Sequence, residues 1–137
     1  MAALGPPGGG LRYSRRVSES NALNMLAGVR MAIGAGAWAA PRLAGRLFGL
    51  DVAGNPQAPY LARLFGARDV ALAWGALGAE GSARRQWLLA GLACDVADAL
   101  AGVAGGRSGY LPRLTSGLVT GTALSAVAMG AAALREA

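Results

Sequence analysis

The sequence lacks lysine and histidine, and Cys94 is its single cysteine. One cysteine excludes an internal disulfide, and without histidine or a second cysteine no zinc-type metal site can form. We therefore expect neither a metal nor a cofactor. Charged residues make up only 15% of the 137 residues, against about 25% in an ordinary soluble domain. Because hydrophobic residues make up 54%, the shortage of charge indicates a protein that lies in lipid.

The basic residues, thirteen in number, are all arginine, and they give the chain a net charge of +6. A GC-rich genome explains abundant arginine together with abundant alanine and glycine. The arginines form no patch with interleaved aromatic residues, and most of them flank apolar runs. The pattern therefore argues against nucleic acid as a partner.

Four long apolar stretches follow a glycine- and proline-rich, basic N-terminal segment, residues 1–21, that we expect to be disordered. Each stretch approaches the ~20 residues that a helix needs to cross a bilayer, and none shows the strict alternation of a strand. The sequence thus predicts an all-α fold, an antiparallel four-helix transmembrane bundle within residues 22–137. The predicted spans are residues 22–39, 60–79, 87–104 and 114–134.

Aromatic residues mark the predicted membrane interfaces at the ends of these spans. They are Trp38, Tyr60, Trp87 and Tyr110. A cleaved signal peptide is the competing interpretation of the first span, but a central charge, Arg30, argues against it. Between the first two spans, leucines alternate with Arg42 and Arg46 at helical spacing, which predicts a short helix on the membrane surface or an ordered loop.

Orientation follows from the arginines outside the spans, under the rule that cytoplasmic loops carry more positive charge. The side that holds both termini has six of them, Arg12, Arg15, Arg16, Arg84, Arg85 and Arg135. The other side has four, Arg42, Arg46, Arg107 and Arg113. We therefore expect a multi-pass protein with both termini in the cytoplasm.

Five ionisable residues interrupt the first three spans at nearly the same depth. Arg30, Arg68, Asp69 and Asp95 lie at the midpoints of their spans, and Asp98 lies only ~4.5 Å further along its helix. A charge that faces lipid at a helix centre costs at least ~2.5 to 3.5 kcal/mol. We therefore predict that these residues face inward and contact one another. Gly91 and Gly102 are predicted to continue the face that carries the two aspartates of the third span.

The carboxylates in this set outnumber the guanidinium groups. Arg30 and Arg68 supply two positive charges, whereas Asp69, Asp95 and Asp98 supply three negative charges when all are ionised. Burial and a neighbouring carboxylate both disfavour the ionised form of a carboxyl group. We predict that one carboxyl keeps its proton near neutral pH, and that Asp95 and Asp98 titrate as a coupled pair.

Three functions are compatible with a protonated acid at this depth. In the first, the charges only fix the register of the helices, as a structural or assembly partner in a membrane complex. In the second, the candidate catalytic residues Arg30, Arg68, Asp69, Asp95 and Asp98 protonate a lipophilic small molecule from the bilayer, and Trp74 binds it by stabilising positive charge. In the third, the acids relay protons in transport. A GxxxG pattern, Gly117 and Gly121, also suggests a homo-oligomer.

The excess of carboxylate favours chemistry or proton movement over a purely structural role, and we therefore expect an enzyme. Gly28 to Arg30, the run Gly66 to Asp69 and the aspartates of the third span resemble a group of small four-helix integral membrane proteins from actinobacteria. The likeness covers roughly residues 22–134 and implies a bacterial cell membrane. In size, topology and mid-membrane acids the chain also resembles small membrane-bound terpenoid cyclases. That resemblance implies acid-initiated cyclisation or isomerisation, although no catalytic motif transfers residue by residue.

Overall fold

The computed structural model describes the backbone of residues 9–137 and the side chains of residues 21–137. This part of the chain is helical without strands, as the sequence predicted. The helices are α1 (Gly9–Ala39), α2 (Pro41–Leu47), α3 (Ala58–Gly78), α4 (Gly81–Ser108) and α5 (Arg113–Glu136). The four long helices contain the four predicted spans almost completely. Helix α1 already begins at Gly9, inside the segment for which we predicted disorder, and residues 1–8 of that segment lie outside the described residues.

The four long helices form an antiparallel bundle made of two helix pairs. Helix α1 packs most extensively against α3, and α4 against α5, whereas the α3/α4 and α1/α5 interfaces are smaller. We call α1 and α3 the first helix pair, and α4 and α5 the second. Across the described residues, no close backbone contact joins α1 to α4 or α3 to α5, so these helices lie diagonally opposite each other.

Glycines allow the two helices of the first pair to approach closely. A Cβ atom on Gly34 of α1 would lie 2.7 Å from the carbonyl oxygen of Gly66 on α3. A Cβ atom on Gly66 would in turn overlap the carbonyl oxygen of Gly34. Small residues at such crossings are typical of helices that pack in lipid. This crossing lies one helical turn from Arg30 and therefore fixes where that side chain enters the bundle.

Helix α2 confirms the short helix that the leucine spacing predicted, and it ends at Leu47. The helix stops because Gly49 adopts a left-handed conformation, with φ 74°. The backbone N–H of Leu50 then donates to the carbonyl of Gly45 at 2.9 Å, which closes a Schellman motif.

The end of α2 is attached to the second helix pair through one buried hydroxyl group. Thr115, at the start of α5, is 1% exposed, and its Oγ1 donates to the carbonyl oxygen of Gly49 at 2.7 Å. Leu43 and Leu47 point away from this attachment and are exposed. Helix α2 therefore presents an apolar outer face.

The bundle buries three charged residues among its apolar core residues and leaves many large apolar side chains on its surface. Arg30, Asp69 and Asp95 are buried, whereas twenty large apolar side chains of the described residues are exposed, from Met25 to Leu124. Large contiguous apolar surfaces are rare on soluble monomers. This distribution is the one expected of a surface in contact with acyl chains.

Two of the described helices, α4 and α5, are long and apolar enough to cross a membrane. Helices α1 and α3 do not meet the same criterion. Their sequences explain the difference, because α1 carries Arg30 and α3 carries Arg63, Arg68 and Asp69.

Candidate functional site

Three helices bring the five ionisable residues that we predicted from depth and charge into one cluster at the centre of the bundle. Arg30 comes from α1, Arg68 and Asp69 from α3, and Asp95 and Asp98 from α4. Four guanidinium–carboxylate ion pairs join them. We call these five residues the central network.

Arg30 is the innermost cation of the network. Its Nη1 donates to Asp69 Oδ1 at 3.2 Å, and its Nη2 donates to Asp95 Oδ2 at 2.5 Å. The second bond crosses the bundle diagonally, from α1 to α4. Gly91 gives the guanidinium room on α4, because a Cβ atom there would lie 3.0 Å from Arg30 Nη2. Of the two predicted glycines on this face, Gly91 therefore lies directly against the arginine, whereas Gly102 packs against Val119 and Thr120 of α5.

Arg68 is the outer cation of the network. Its Nη1 and Nη2 donate to the two carboxylate oxygens of Asp98 at 3.1 and 2.6 Å, a bidentate geometry that makes a strong pair. Nη2 also donates to Asp69 Oδ1 at 3.4 Å. The guanidinium carbon lies 4.6 Å from the ring centroid of Phe65. The ring and the two carboxylates thus fix the orientation of this side chain.

The five residues form an unbranched chain of alternating charge, in the order Asp95, Arg30, Asp69, Arg68, Asp98. The side chain of Asp95 is 5% exposed at one end, and that of Asp98 is 34% exposed at the other. Arg68, at 31%, is exposed beside Asp98. The network therefore runs from the buried Asp95 to the partly exposed pair of Arg68 on α3 and Asp98 on α4, a position that we call the α3/α4 seam.

The network connects the two helix pairs. Arg30 and Arg68 belong to the first pair, and their carboxylate partners Asp95 and Asp98 belong to the second. Asp69 stays within the first pair and accepts from both arginines through the same oxygen, Oδ1. The strongest polar contacts in the described bundle therefore cross between the pairs that pack less extensively on each other.

Both ends of the chain of charges are carboxyl groups, so the predicted excess of one carboxylate is present in the geometry. Asp95 and Asp98 hold different arginines and communicate through Arg30, Asp69 and Arg68. Their predicted coupled titration stays a prediction, and this chain of ion pairs is the physical path for it. Within the described residues no group of side chains is arranged to hold a metal ion.

A small cavity adjoins Arg30 on the side of the bundle that holds both chain termini. Leu26, Leu72, Leu88 and Gly91 are among its lining residues, and its volume is about 10 Å³. That volume is close to the minimum for one water molecule. A prenyl chain does not fit beside Arg30 in this conformation.

Trp74, which we proposed from the sequence as a substrate-binding residue, is not brought to the network. Its side chain is 72% exposed and lines an open groove on the outer surface together with Trp38 and Trp87. Asp69 and Trp74 differ by five positions in the sequence, which turns their side chains to different faces of α3.

Arg63 also stays outside the network. Its Nε donates to the carbonyl oxygen of Trp38 at 3.2 Å, and its guanidinium carbon lies 5.7 Å from the Trp38 ring centroid. Sequence reasoning missed the outer groove beside this contact. The signal was present, because Arg63, Ala67, Val70 and Trp74 recur at helical spacing on one face of α3.

Comparison of this chain with protein-family models, with curated proteins and with solved structures found no match. The resemblance to actinobacterial four-helix membrane proteins and to terpenoid cyclases therefore stays a prediction.

Proposed function

We propose that this protein is a multi-pass protein of the bacterial cell membrane whose central network binds one proton and thereby controls how firmly its two helix pairs are held together. The observation that carries the proposal is the placement of the ion pairs. The two bridges between the helix pairs, Arg30 with Asp95 and Arg68 with Asp98, belong to one chain of charges that has a surplus carboxylate.

The membrane placement is supported by three features of the described residues. Helices α4 and α5 are long and apolar enough to span a bilayer. Charges are buried while large apolar side chains are exposed. Exposed aromatic residues lie towards the helix ends, among them Trp38, Tyr60 and Tyr110, at the level where membrane proteins place them. All four long helices cross the membrane in this proposal, with both termini in the cytoplasm.

Proton binding follows from charge balance in a medium of low dielectric constant. Three carboxylates facing two guanidinium groups leave one negative charge without a counterion, and such a charge is expensive away from water. A proton on one carboxyl makes the network neutral. When that proton sits on Asp95 or Asp98, it weakens one of the two bridges between the helix pairs. Proton binding and the fit of the two pairs are then linked.

Infrared spectroscopy of the protein in lipid tests this proposal. We expect a protonated-carboxyl band near neutral pH, and we expect Asp95→Asn or Asp98→Asn to remove it. Asp51→Asn is the matched control, since Asp51 lies in an exposed connection and accepts from the backbone N–H of Gly54 at 2.8 Å. A spectrum without this band, or a band that survives in both network variants, would falsify the proposal.

Proteoliposomes distinguish proton movement from proton storage. Under an imposed membrane potential, a network that relays protons acidifies or alkalinises the vesicle interior, and Asp95→Asn abolishes this change. A network that binds a proton without moving it gives no flux but keeps the infrared band. The second result supports the structural form of the proposal, in which the network holds a complex together.

Acid catalysis on a lipophilic small molecule is a second candidate, and one observation favours it. Asp98 is partly exposed in the α3/α4 seam, so a molecule dissolved in the bilayer reaches this acid without entering the bundle. The test is to purify wild-type protein and Asp98→Asn in mild detergent and to compare their bound small molecules by mass spectrometry. A prenyl lipid that differs between the two supports catalysis. Recovery of phospholipid alone from both argues against it.

A further inference from the structure

All three tryptophans of the sequence line one open groove on the outer surface of the bundle. The groove follows α3 and has a volume of about 800 Å³. Small residues form its floor, namely Ala35, Ala67, Ala71 and Gly75. The ring of Trp87, on α4, lies against Gly75, where a Cβ atom would overlap it. The groove is therefore apolar, with tryptophan side chains on its sides and small residues at its bottom.

A positive charge lies at one end of this groove. Arg63 precedes Ala67 by one helical turn on the same face of α3, and its contacts with Trp38 hold the guanidinium at the groove entrance. No carboxylate of the described residues forms an ion pair with Arg63. The entrance therefore carries a positive charge that an anionic group can neutralise.

The groove is about as long as one acyl chain, and it crosses the level of Asp69, because Arg63 lies six residues before Asp69 on α3 and Trp74 five residues after it. Arg63 and Trp74 are separated by eleven residues of α3, or ~16.5 Å at 1.5 Å per residue. An acyl chain extends over about half of a hydrocarbon core that is ~30 Å thick, or ~15 Å. An acyl chain whose headgroup lies at Arg63 thus ends near Trp74 and Trp87.

We infer that this groove binds one anionic phospholipid of the surrounding bilayer, with its phosphate on Arg63 and one acyl chain along Ala67 and Ala71. The inference depends on the membrane placement proposed above and is independent of the central network. The phosphate supplies the missing negative charge, and the small residues let the chain lie against the helix backbone. Trp74, which does not contact the network, then packs against the end of the acyl chain.

Native mass spectrometry tests this assignment. The full-length protein is extracted from vesicles that contain equal amounts of phosphatidylglycerol and phosphatidylcholine with the same acyl chains. We expect one retained phosphatidylglycerol per chain and about a tenfold preference for it over phosphatidylcholine, because the choline cation of phosphatidylcholine already neutralises the phosphate that pairs with Arg63. Arg63→Gln should remove the preference. Arg46→Gln is the control, because it removes an exposed arginine of α2 and should leave the preference intact.

A second variant tests the groove without changing any charge. Ala71→Leu fills the floor, so retention of phosphatidylglycerol should fall while Arg63 is still present. Brominated phosphatidylglycerol should quench tryptophan fluorescence strongly in the wild type and less in Ala71→Leu. Equal retention of both lipids by the wild type overturns the inference. Retention that neither variant changes also overturns it, and two-chain complexes in place of lipid adducts assign the groove to a second copy.

Failure of this inference and failure of the proposed function give different results. A protein that is not embedded in lipid shows no quenching by any brominated lipid. An embedded protein without a specific site shows quenching that is equal for both headgroups. Asp95→Asn changes the infrared band and should leave lipid retention unchanged.

Discussion

Replacing Arg30 with methionine is the most direct perturbation of the central network. The side chain of Arg30 is 6% exposed and binds Asp69 and Asp95 at 3.2 and 2.5 Å. Methionine fills a similar volume without a charge, so the variant tests the electrostatic role of Arg30 and leaves packing nearly intact. Two buried carboxylates lose their shared partner.

The size of the effect follows from the charges that stay behind. Removal of one partner from a buried ion pair typically costs ~3 to 5 kcal/mol. That loss is a large part of the ~5 to 15 kcal/mol by which proteins are usually stable. In Arg30→Met the network holds one guanidinium and three carboxyl groups, so a second proton must bind to restore neutrality.

The double variant Arg30→Met with Asp95→Asn separates electrostatics from packing. Its charge sum equals that of the wild type, since one positive and one negative charge have been removed together. We expect it to be more stable than Arg30→Met alone by ~1 to 3 kcal/mol, the usual range of coupling between residues in contact. Unfolding in mixed detergent micelles, followed by circular dichroism during titration with a denaturing detergent, measures all four members of the cycle.

A cost below ~1 kcal/mol for Arg30→Met would show that Arg30 makes no substantial net contribution through these pairs, because exposed ion pairs contribute that little. A double variant as unstable as Arg30→Met would show that Arg30 and Asp95 are not coupled. Either result refutes the reasoning from charge balance.

Three further substitutions test the fold and its placement in lipid. Gly66→Ala should destabilise the bundle by ~1 to 3 kcal/mol, because the added methyl group meets the backbone of α1. Thr115→Val should cost ~0.5 to 1.5 kcal/mol through loss of the bond to the Gly49 carbonyl, and should increase proteolysis near α2. Leu100→Arg places a charge on an exposed mid-helix position of α4 and should reduce membrane insertion by ~2.5 to 3.5 kcal/mol in a glycosylation-mapping assay.

Each of these changes has a control or a contradicting outcome. Gly36→Ala adds the same methyl group to α1 where nothing lies within 4 Å, so it should be neutral or slightly stabilising. Equal effects of the two alanine variants contradict the close approach of α1 and α3. Unchanged proteolysis in Thr115→Val shows that other contacts hold α2. Ser82→Arg lies in the first turn of α4, and an effect equal to that of Leu100→Arg argues against a bilayer around that helix.

Depth along each helix was sufficient to predict which charges meet. The reasoning needed only the ends of the apolar runs and the cost of a charge in lipid. It did not predict the pairing, because pairing depends on how each helix is rotated about its axis. Arg30 pairs with Asp95, and Arg68 pairs with Asp98, because of how the two helix pairs pack on each other. The sequence of a single span does not specify that packing. The same rotation turns Trp74 outward, although its depth allowed contact with the acids.

The groove on α3 illustrates a different limit of the sequence. Tryptophans at three separate positions belong to one surface only after α1, α3 and α4 have packed. Their individual positions predicted interfacial anchors for Trp38 and Trp87, and this interpretation is compatible with their exposure. The small residues at the bottom of the groove could not be recognised from the sequence, because alanine and glycine are abundant along the whole chain.

Arg30 is synthesised before both of its carboxylate partners, because it pairs with residues of later helices. Its first carboxylate partner is encoded 39 residues later and its second 65 residues later. At ~5 to 20 residues per second of synthesis, these partners leave the ribosome roughly 2 to 8 s and 3 to 13 s after the arginine. During that interval the first segment carries an uncompensated cation, so in the proposed membrane placement we expect it to stay beside the insertion machinery until the later helices arrive. Under that placement, the sequence separations of Arg30 from Asp69 and Asp95 set the earliest time at which the bundle can assemble.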